Sequence, residues 1–270
     1  MSPGGASAPA GGQSAQLNTL VTIPISHYCE KARWALDRAE IPYREQRHIQ
    51  GVHTIASRRA GGGPTVPVLV TEREVLGDSS LILEWADERT AHERRLFPAG
   101  RLDRLEAQGL CLRLDERLGP AARRLTYIHM MPNRAVLFEY NNQGVPAWED
   151  RTMRWAWPLV FAFARRALGI SPGVAAHDDR VLWDEMDNVA DILADGRPFL
   201  EGERFGAADL TFASLAAAVL WPPGYGVALP DPAAVSPAAA ALVNRARAHP
   251  AGRHALRMFE TERRPAPAPP

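Results

Sequence analysis

Ser26-His27-Tyr28-Cys29-Glu30-Lys31 places a hydroxyl just past the end of one predicted element and at the head of the next. Tyr28, Ala32, Ala35, Leu36 and Ala39 recur at helical spacing, which predicts a helix from about His27 to Glu40. Unpaired amides and the helix dipole make such a start favourable for an anion, while serine is also among the best N-cap residues, so both readings apply to Ser26. Ser26-His27-Tyr28-Cys29 has the spacing of a CxxC pair whose first cysteine is replaced, so the nucleophilic position of a redox enzyme is missing. Cys29 is expected one turn into the helix, facing inward as a small buried hydrophobe. His27 is a candidate for contact with substrate or for acid-base work, although exposed loop histidines are usually inert. A second hydroxyl at a predicted helix start is Ser79, behind Asp78, where free amides suit a carboxylate and Asp78 suits an ammonium or a cap.

The elements that must hold these residues alternate in the first third of the chain. A strand is predicted over Leu17 to Ile25 and stops at Pro24, followed by the helix of Ser26, a strand at Tyr43 to Ile49 and a short helix at Val52 to Arg59. After the Gly61-Gly62-Gly63-Pro64 loop, Val66 to Val70 and Glu74 to Leu76 read as a strand pair, and a helix starts near Asp78. From about Arg101 only helical periodicity is seen. Leu102, Leu105, Leu110, Leu114 and Leu118 line a long helix expected to break or bend near Gly119-Pro120. Further helices are predicted at Glu149 to Leu168, along Leu182, Met186, Val189 and Leu193, at Ala207 to Leu220, which is apolar nearly all round, and at Arg247 to Arg263. The order βαβ then ββα is the thioredoxin-like arrangement, so the expected fold is an α/β thioredoxin-like N-terminal domain plus an all-α C-terminal domain. The expected divisions are a flexible tail at 1–16, the α/β domain at 17–90, a linker at 91–100, the helical domain at 101–263 and a second tail at 264–270.

Composition narrows the classes of function. The 270 residues carry 31 basic and 31 acidic side chains, so no global field favours nucleic acid or an anionic membrane. Lys31 is the sole lysine, and with abundant Ala, Gly and Pro the arginine bias reads first as a GC-rich coding sequence. Two cysteines make no disulfide framework and no Cys/His spacing reads as a metal site, so a reducing, cytoplasmic setting without metal is expected. The first residues lack a basic n-region and an apolar h-region, and no stretch approaches a membrane span.

Four blocks, in order and spacing, resemble the cytosolic glutathione transferase superfamily, as a divergent bacterial-type member with a serine- or cysteine-type active site. They are Ser26 to Arg33, Thr65-Val66-Pro67-Val68-Leu69, Leu76 to Glu84, and Phe205-Gly206-Ala207-Ala208-Asp209-Leu210-Thr211. The resemblance implies that Ser26 activates the glutathione thiol, that the Val66-Pro67 peptide is cis and offers its backbone to the tripeptide, and that Asp78 and Ser79 take the γ-glutamyl end. It also implies cations for the glycyl carboxylate, with His53, Arg58 and Arg59 as candidates. The last block resembles the family's capping box and hydrophobic staple, with one departure: Gly206 replaces the capping Ser or Thr, so only the return bond from Asp209 is expected.

For the electrophile, His27, Tyr28, Tyr127, Met130 and Trp155 are the expected pocket residues, with Met131 and Trp157 nearby, and the segment 132–148 is expected to be a lid or a surface loop. Trp221-Pro222-Pro223-Gly224-Tyr225 reads as a turn rather than a site. The implied function is attack of the glutathione thiolate on a small hydrophobic electrophile. The alternatives are a glutathione-dependent isomerase or pathway-specific enzyme of the same fold, and a non-catalytic binding or regulatory protein. The family also implies a homodimer; nucleic acid and membrane are not expected partners.

Overall fold

A strand of β-branched residues, β1 (Asn18–Thr22), runs parallel to β2 (Tyr43–Arg47), with α1 (His27–Arg38) as the crossover. After α2 (Val52–Arg59), β3 (Val68–Val70) pairs antiparallel with β1 and with β4 (Val75–Leu76), giving the order β2-β1-β3-β4 ahead of α3 (Ser79–Glu88). This computed structural model describes residues 17–167, 169 and 171–263, apart from the side chains of 163–165 and 167. The tails expected at 1–16 and 264–270 and the helix end at Leu168 lie outside them. The strands are shorter than expected: β1 ends before Ile23, and β3 begins only after the Val66-Pro67 peptide, which is cis.

The remainder is helical: α4 (Arg101–Arg113), α5 (Gly119–Met130), α6 (Arg134–Asn141), α7 (Ala147–Ala167), α8 (Pro172–Ile192), α9 (Ala207–Leu220), α10 (Pro232–Val235), α11 (Pro237–Ala248) and α12 (Pro250–Thr261). A thioredoxin-like α/β domain followed by an all-α domain is therefore the fold. One hydrophobic core joins the two: Trp34 of α1 is fully buried, 5.7 Å from the ring of Phe205 and 4.9 Å from that of Phe259, and α9 is buried on all sides. Among the described residues no helix is long and apolar enough to cross a membrane.

Gly119-Pro120 does not break the long helix. A π turn at Leu114–Leu118 joins α4 to α5, with the Gly119 amide donating to the Leu114 carbonyl. In that wider turn the Asp115 carbonyl would wait for an amide at Pro120, which has none. The Tyr28 hydroxyl supplies the missing donor, at 2.8 Å. The buried face of α4 and its continuation is Ala107, Cys111, Leu114 and Leu118, whereas Leu102 and Leu105 point away and are 74% and 54% exposed. The leucine stripe expected from the sequence is thus split between two faces.

Three other features of the helical part have local reasons. The last helix starts at Pro250 rather than Arg247, because the residue before a proline is driven to extended geometry, and His249 adopts it (φ −67°, ψ 144°). The segment 132–148 contains α6, capped by Asn133, and is not an irregular loop. At α9 the missing cap is replaced from outside the box. The Glu201 carboxylate accepts from the Ala208 amide at 2.8 Å, while Asp209 accepts from Gly206 at 3.1 Å. A Cβ at position 206 would stand 2.5 Å from Glu201 Oε2, so the glycine makes room for the substitute cap. Burial pushes the Glu201 carboxyl up to about 7, and in either protonation state it keeps an oxygen that accepts.

Candidate functional site

Ser26 stands where β1 has ended and α1 begins. Its backbone is extended (φ −70°, ψ 121°), and its Oγ accepts from the Cys29 amide at 3.4 Å, so it does cap the helix. It also lines a cavity of about 510 Å³ between the sheet end of the α/β domain and α5, α7 and α9, within the usual range of roughly 300–1,000 Å³ for small-molecule sites.

Of the residues expected at the site, Ser26, His27, Tyr28, His53, Val66, Tyr127 and Met130 all line this cavity. Val66 precedes β3, and neither its amide nor its carbonyl has a backbone partner among the described residues. Asp78, Ser79, Pro67, Arg58 and Arg59 are not lining residues. Asp78 caps α3, accepting from Ser80 at 2.7 Å, and Ser79 is buried. Arg58 and Arg59 are exposed on the last turn of α2. Trp155 is 83% exposed and is no part of the pocket wall; Trp157, two residues on and across the helix, lines it instead, with Phe138 edge-on at 5.1 Å.

His27 is buried, not an exposed loop residue. Its Nε2 lies 3.1 Å from the Gly119 carbonyl, which only accepts, so Nε2 carries the hydrogen. Burial, and then the charge of Arg123, push the imidazole down to about 3. A ring neutral at every working pH is no acid-base group, and His27 instead pegs α1 to α5. His53 accepts the Gly51 amide on Nδ1 at 3.0 Å, and burial holds its imidazole below the ordinary range. Cys29 is fully buried, as expected, and burial pushes its thiol up to about 11.

The helix carrying Ser26 is fastened by polar contacts below the cavity. Lys31 is fully buried and donates to Asp115 Oδ1 and Oδ2 at 2.9 and 2.7 Å and to Ser80 Oγ at 2.8 Å. Glu30 receives Arg33 at 3.1 Å and Arg263 at 2.7 Å, so the end of the helical domain also grips α1. Across the cavity, Gln50 donates to the Tyr127 hydroxyl at 2.8 Å and pairs amide to amide with Asn141 of α6, at 2.6 and 2.9 Å. Glu149 accepts from the Ile49 amide at 2.9 Å. The 132–148 segment is therefore a built wall locked to the β2–α2 connection.

Some lining residues were not expected. Trp221 and Tyr225 belong to the cavity wall rather than to a bare turn, with Tyr225 donating to the Ile25 carbonyl at 3.1 Å. Arg123, Gln50 and Asn141 also line it. Arg123 alone left a signal in the sequence: it precedes Tyr127 by one helical turn and so shares its face. Among the described residues no group of three or more His, Cys, Asp or Glu is placed to hold a metal ion.

Residues 20–94 match the family described as glutathione S-transferase, N-terminal domain. Solved structures similar to the whole chain include a possible glutathione S-transferase from Rhodopseudomonas palustris, with 15% identity, TM-score 0.55, and 92% of this chain and 95% of that one covered. A serine-to-cysteine mutant of a poplar glutathione transferase matches at 12% identity and TM-score 0.58, covering 92% and 94%. A theta class glutathione S-transferase from Xanthomonas axonopodis pv. citri, solved with glutathione bound, matches at 18% identity and TM-score 0.51, covering 88% and 96%. No curated protein matches. Residues 20–94 are thus similar to the N-terminal domain of glutathione S-transferases, and the two-domain architecture is the fold of these solved glutathione transferases.

Proposed function

We propose that the protein is a glutathione transferase-like enzyme in which Ser26 activates the thiol of glutathione for attack on a small hydrophobic electrophile. The observation that carries this reading is the pairing of Ser26, at a helix N-terminus, with the unpartnered Val66 peptide on one cavity wall. Val66 then bonds the tripeptide backbone as an added strand would, and the Ser26 hydroxyl donates to the sulfur. Asp78 and Ser79 at the start of α3 take the γ-glutamyl end. Arg58 and Arg59 remain the side chains for the glycyl carboxylate, reached by glutathione extending beyond the cavity mouth. The apolar remainder, with Met130 and Trp157, receives the electrophile.

A hydroxyl bond to a thiolate contributes about 1.5–3 kcal/mol, which lowers a thiol by about one to two pKa units. Ser26→Ala is accordingly expected to lower kcat/KM for conjugation by about 10- to 100-fold while the dissociation constant for glutathione stays within about twofold. Steady-state turnover beside calorimetric titration reads both numbers; an unchanged kcat/KM, or no binding of glutathione by the unaltered protein, rejects the reading.

The same reading includes a homodimer in the cytoplasm. Leu102, Leu105 and Leu112 share one face of α4 at 74%, 54% and 57% exposure, and Leu81 of α3 is 52% exposed, an apolar surface suited to a second copy. Sedimentation velocity is expected to show a dimer that Leu105→Glu dissociates; a monomer at micromolar concentration removes this part.

A further inference from the structure

We propose that the cavity takes a substrate bearing a carboxylate on an apolar body, and that Arg123 is the residue that binds this anion. The inference deepens the thiol-addition reading and rests on it for the reaction, though not for the binding.

Arg123 is the one Asp, Glu, Lys or Arg side chain among the described lining residues, so the cavity holds a cation and no carboxylate to neutralise it. Its Nε is buried without a hydrogen-bond partner, and no ion pair is made by its guanidinium among the described residues. Other arginines show what this fold does with such a group when it is structural. The next residue, Arg124, forks onto both oxygens of Asp178 at 2.5 and 2.6 Å, and buried Arg33 and Arg263 are each held by two carboxylates. Leaving a partly buried charge unpaired costs stability, and a site that keeps one is arranged for a ligand that completes it.

The surroundings define that ligand. The charge of Arg123 acts on His27, Tyr28 and Tyr127, which places it over the Ser26 end of the cavity, one helical turn beyond the Gly119 carbonyl that holds His27. His27 is neutral, so it does not share the anion. The lining also includes Met130, Leu137, Met153 and Trp157, which accept an apolar or aromatic body and offer no charge. A planar guanidinium presents paired donors matched to a carboxylate, and binding there orients the electrophilic carbon toward the thiol beside Ser26.

The test uses 4-chloro-3-nitrobenzoate and its neutral match, 4-chloro-3-nitrobenzamide, titrated without glutathione by quenching of tryptophan fluorescence, since Trp157 and Trp221 line the cavity. The unaltered protein is expected to bind the benzoate at least about tenfold more tightly than the amide. Arg123→Met is expected to abolish that preference with amide affinity unchanged, and Arg123→Lys to keep part of it. Equal binding of the two probes, or a preference that survives Arg123→Met, overturns the proposal. Survival of the preference together with a raised thiol pKa of bound glutathione in Arg123→Met assigns the arginine to the thiolate instead, and overturns it equally. Added glutathione then reads the chemistry separately: its thiolate forms the C–S bond, chloride leaves with the electron pair of the broken C–Cl bond, and the thiol proton passes to solvent. Preference without turnover supports the anion site and counts against the thiol reading alone.

Discussion

Asp115→Ala is expected to destabilise the protein by about 3–5 kcal/mol, the usual cost of removing one partner of a buried ion pair. Lys31 has no exposed side-chain surface, and Asp115 accepts from it with both oxygens while also accepting from Ser80 at 2.6 Å. With the carboxylate gone, Ser80 is the remaining bond for a full buried charge. The opposite change, Lys31→Met, is expected to cost less, because Asp115 keeps 14% of its side-chain surface in water and still accepts from Ser80. A combined Lys31→Met/Asp115→Leu variant should regain most of the loss, since a packed apolar pair replaces a buried ionic one at little net cost. Urea unfolding of the three variants reads the cycle, and a loss below about 1 kcal/mol for Asp115→Ala would show that the pair is not the clamp of α1.

Gly119→Ala is the second large effect, expected at about 1–5 kcal/mol despite alanine's better helix propensity. A Cβ there would stand 2.6 Å from Tyr28 Cζ and closer still to the hydroxyl, so the ring must swing away. Overpacking of this kind costs about 1–3 kcal/mol. The Asp115 carbonyl then loses its donor, for about 1–3 kcal/mol more. Against these stands about 1 kcal/mol gained from replacing glycine in a helix, which is too little to reverse the sign. Because Tyr28 lies in the first turn behind Ser26, conjugation should fall along with stability. Tyr28→Ala removes the obstacle, so adding Gly119→Ala to it should cost nothing further; a Gly119→Ala protein as stable as the parent discards the close-contact argument.

Both substitutions act on the seam between α1 and the α4–α5 helix, and that seam marks how far the sequence could be read. Signals that act over a few residues were legible. Ser26 and Asp78 announced two helix starts, and α2 and α9 occupy the residues their periodicity predicted, Val52–Arg59 and Ala207–Leu220. The glycine at position 206 carries no cap oxygen, which is plain from its type, but the replacement, Glu201, lies outside the motif and is brought to the helix start only by the folded turn before α9.

Length and residue order by themselves determined a small α/β domain followed by a helical one, the hydroxyl at the head of α1, and a buried Cys29. These follow from periodicity, caps and prolines, whose physics is local. Tertiary structure alone decided that His27 is neutral, that Trp157 rather than Trp155 faces the cavity, and that Arg123 stands there without a counter-charge. Each of those is a property of burial and pairing, set by groups such as the Gly119 carbonyl, 92 residues from His27. Desolvation and ion pairing depend on which atoms meet in space, and no spacing along the chain carries that information until the helices have packed.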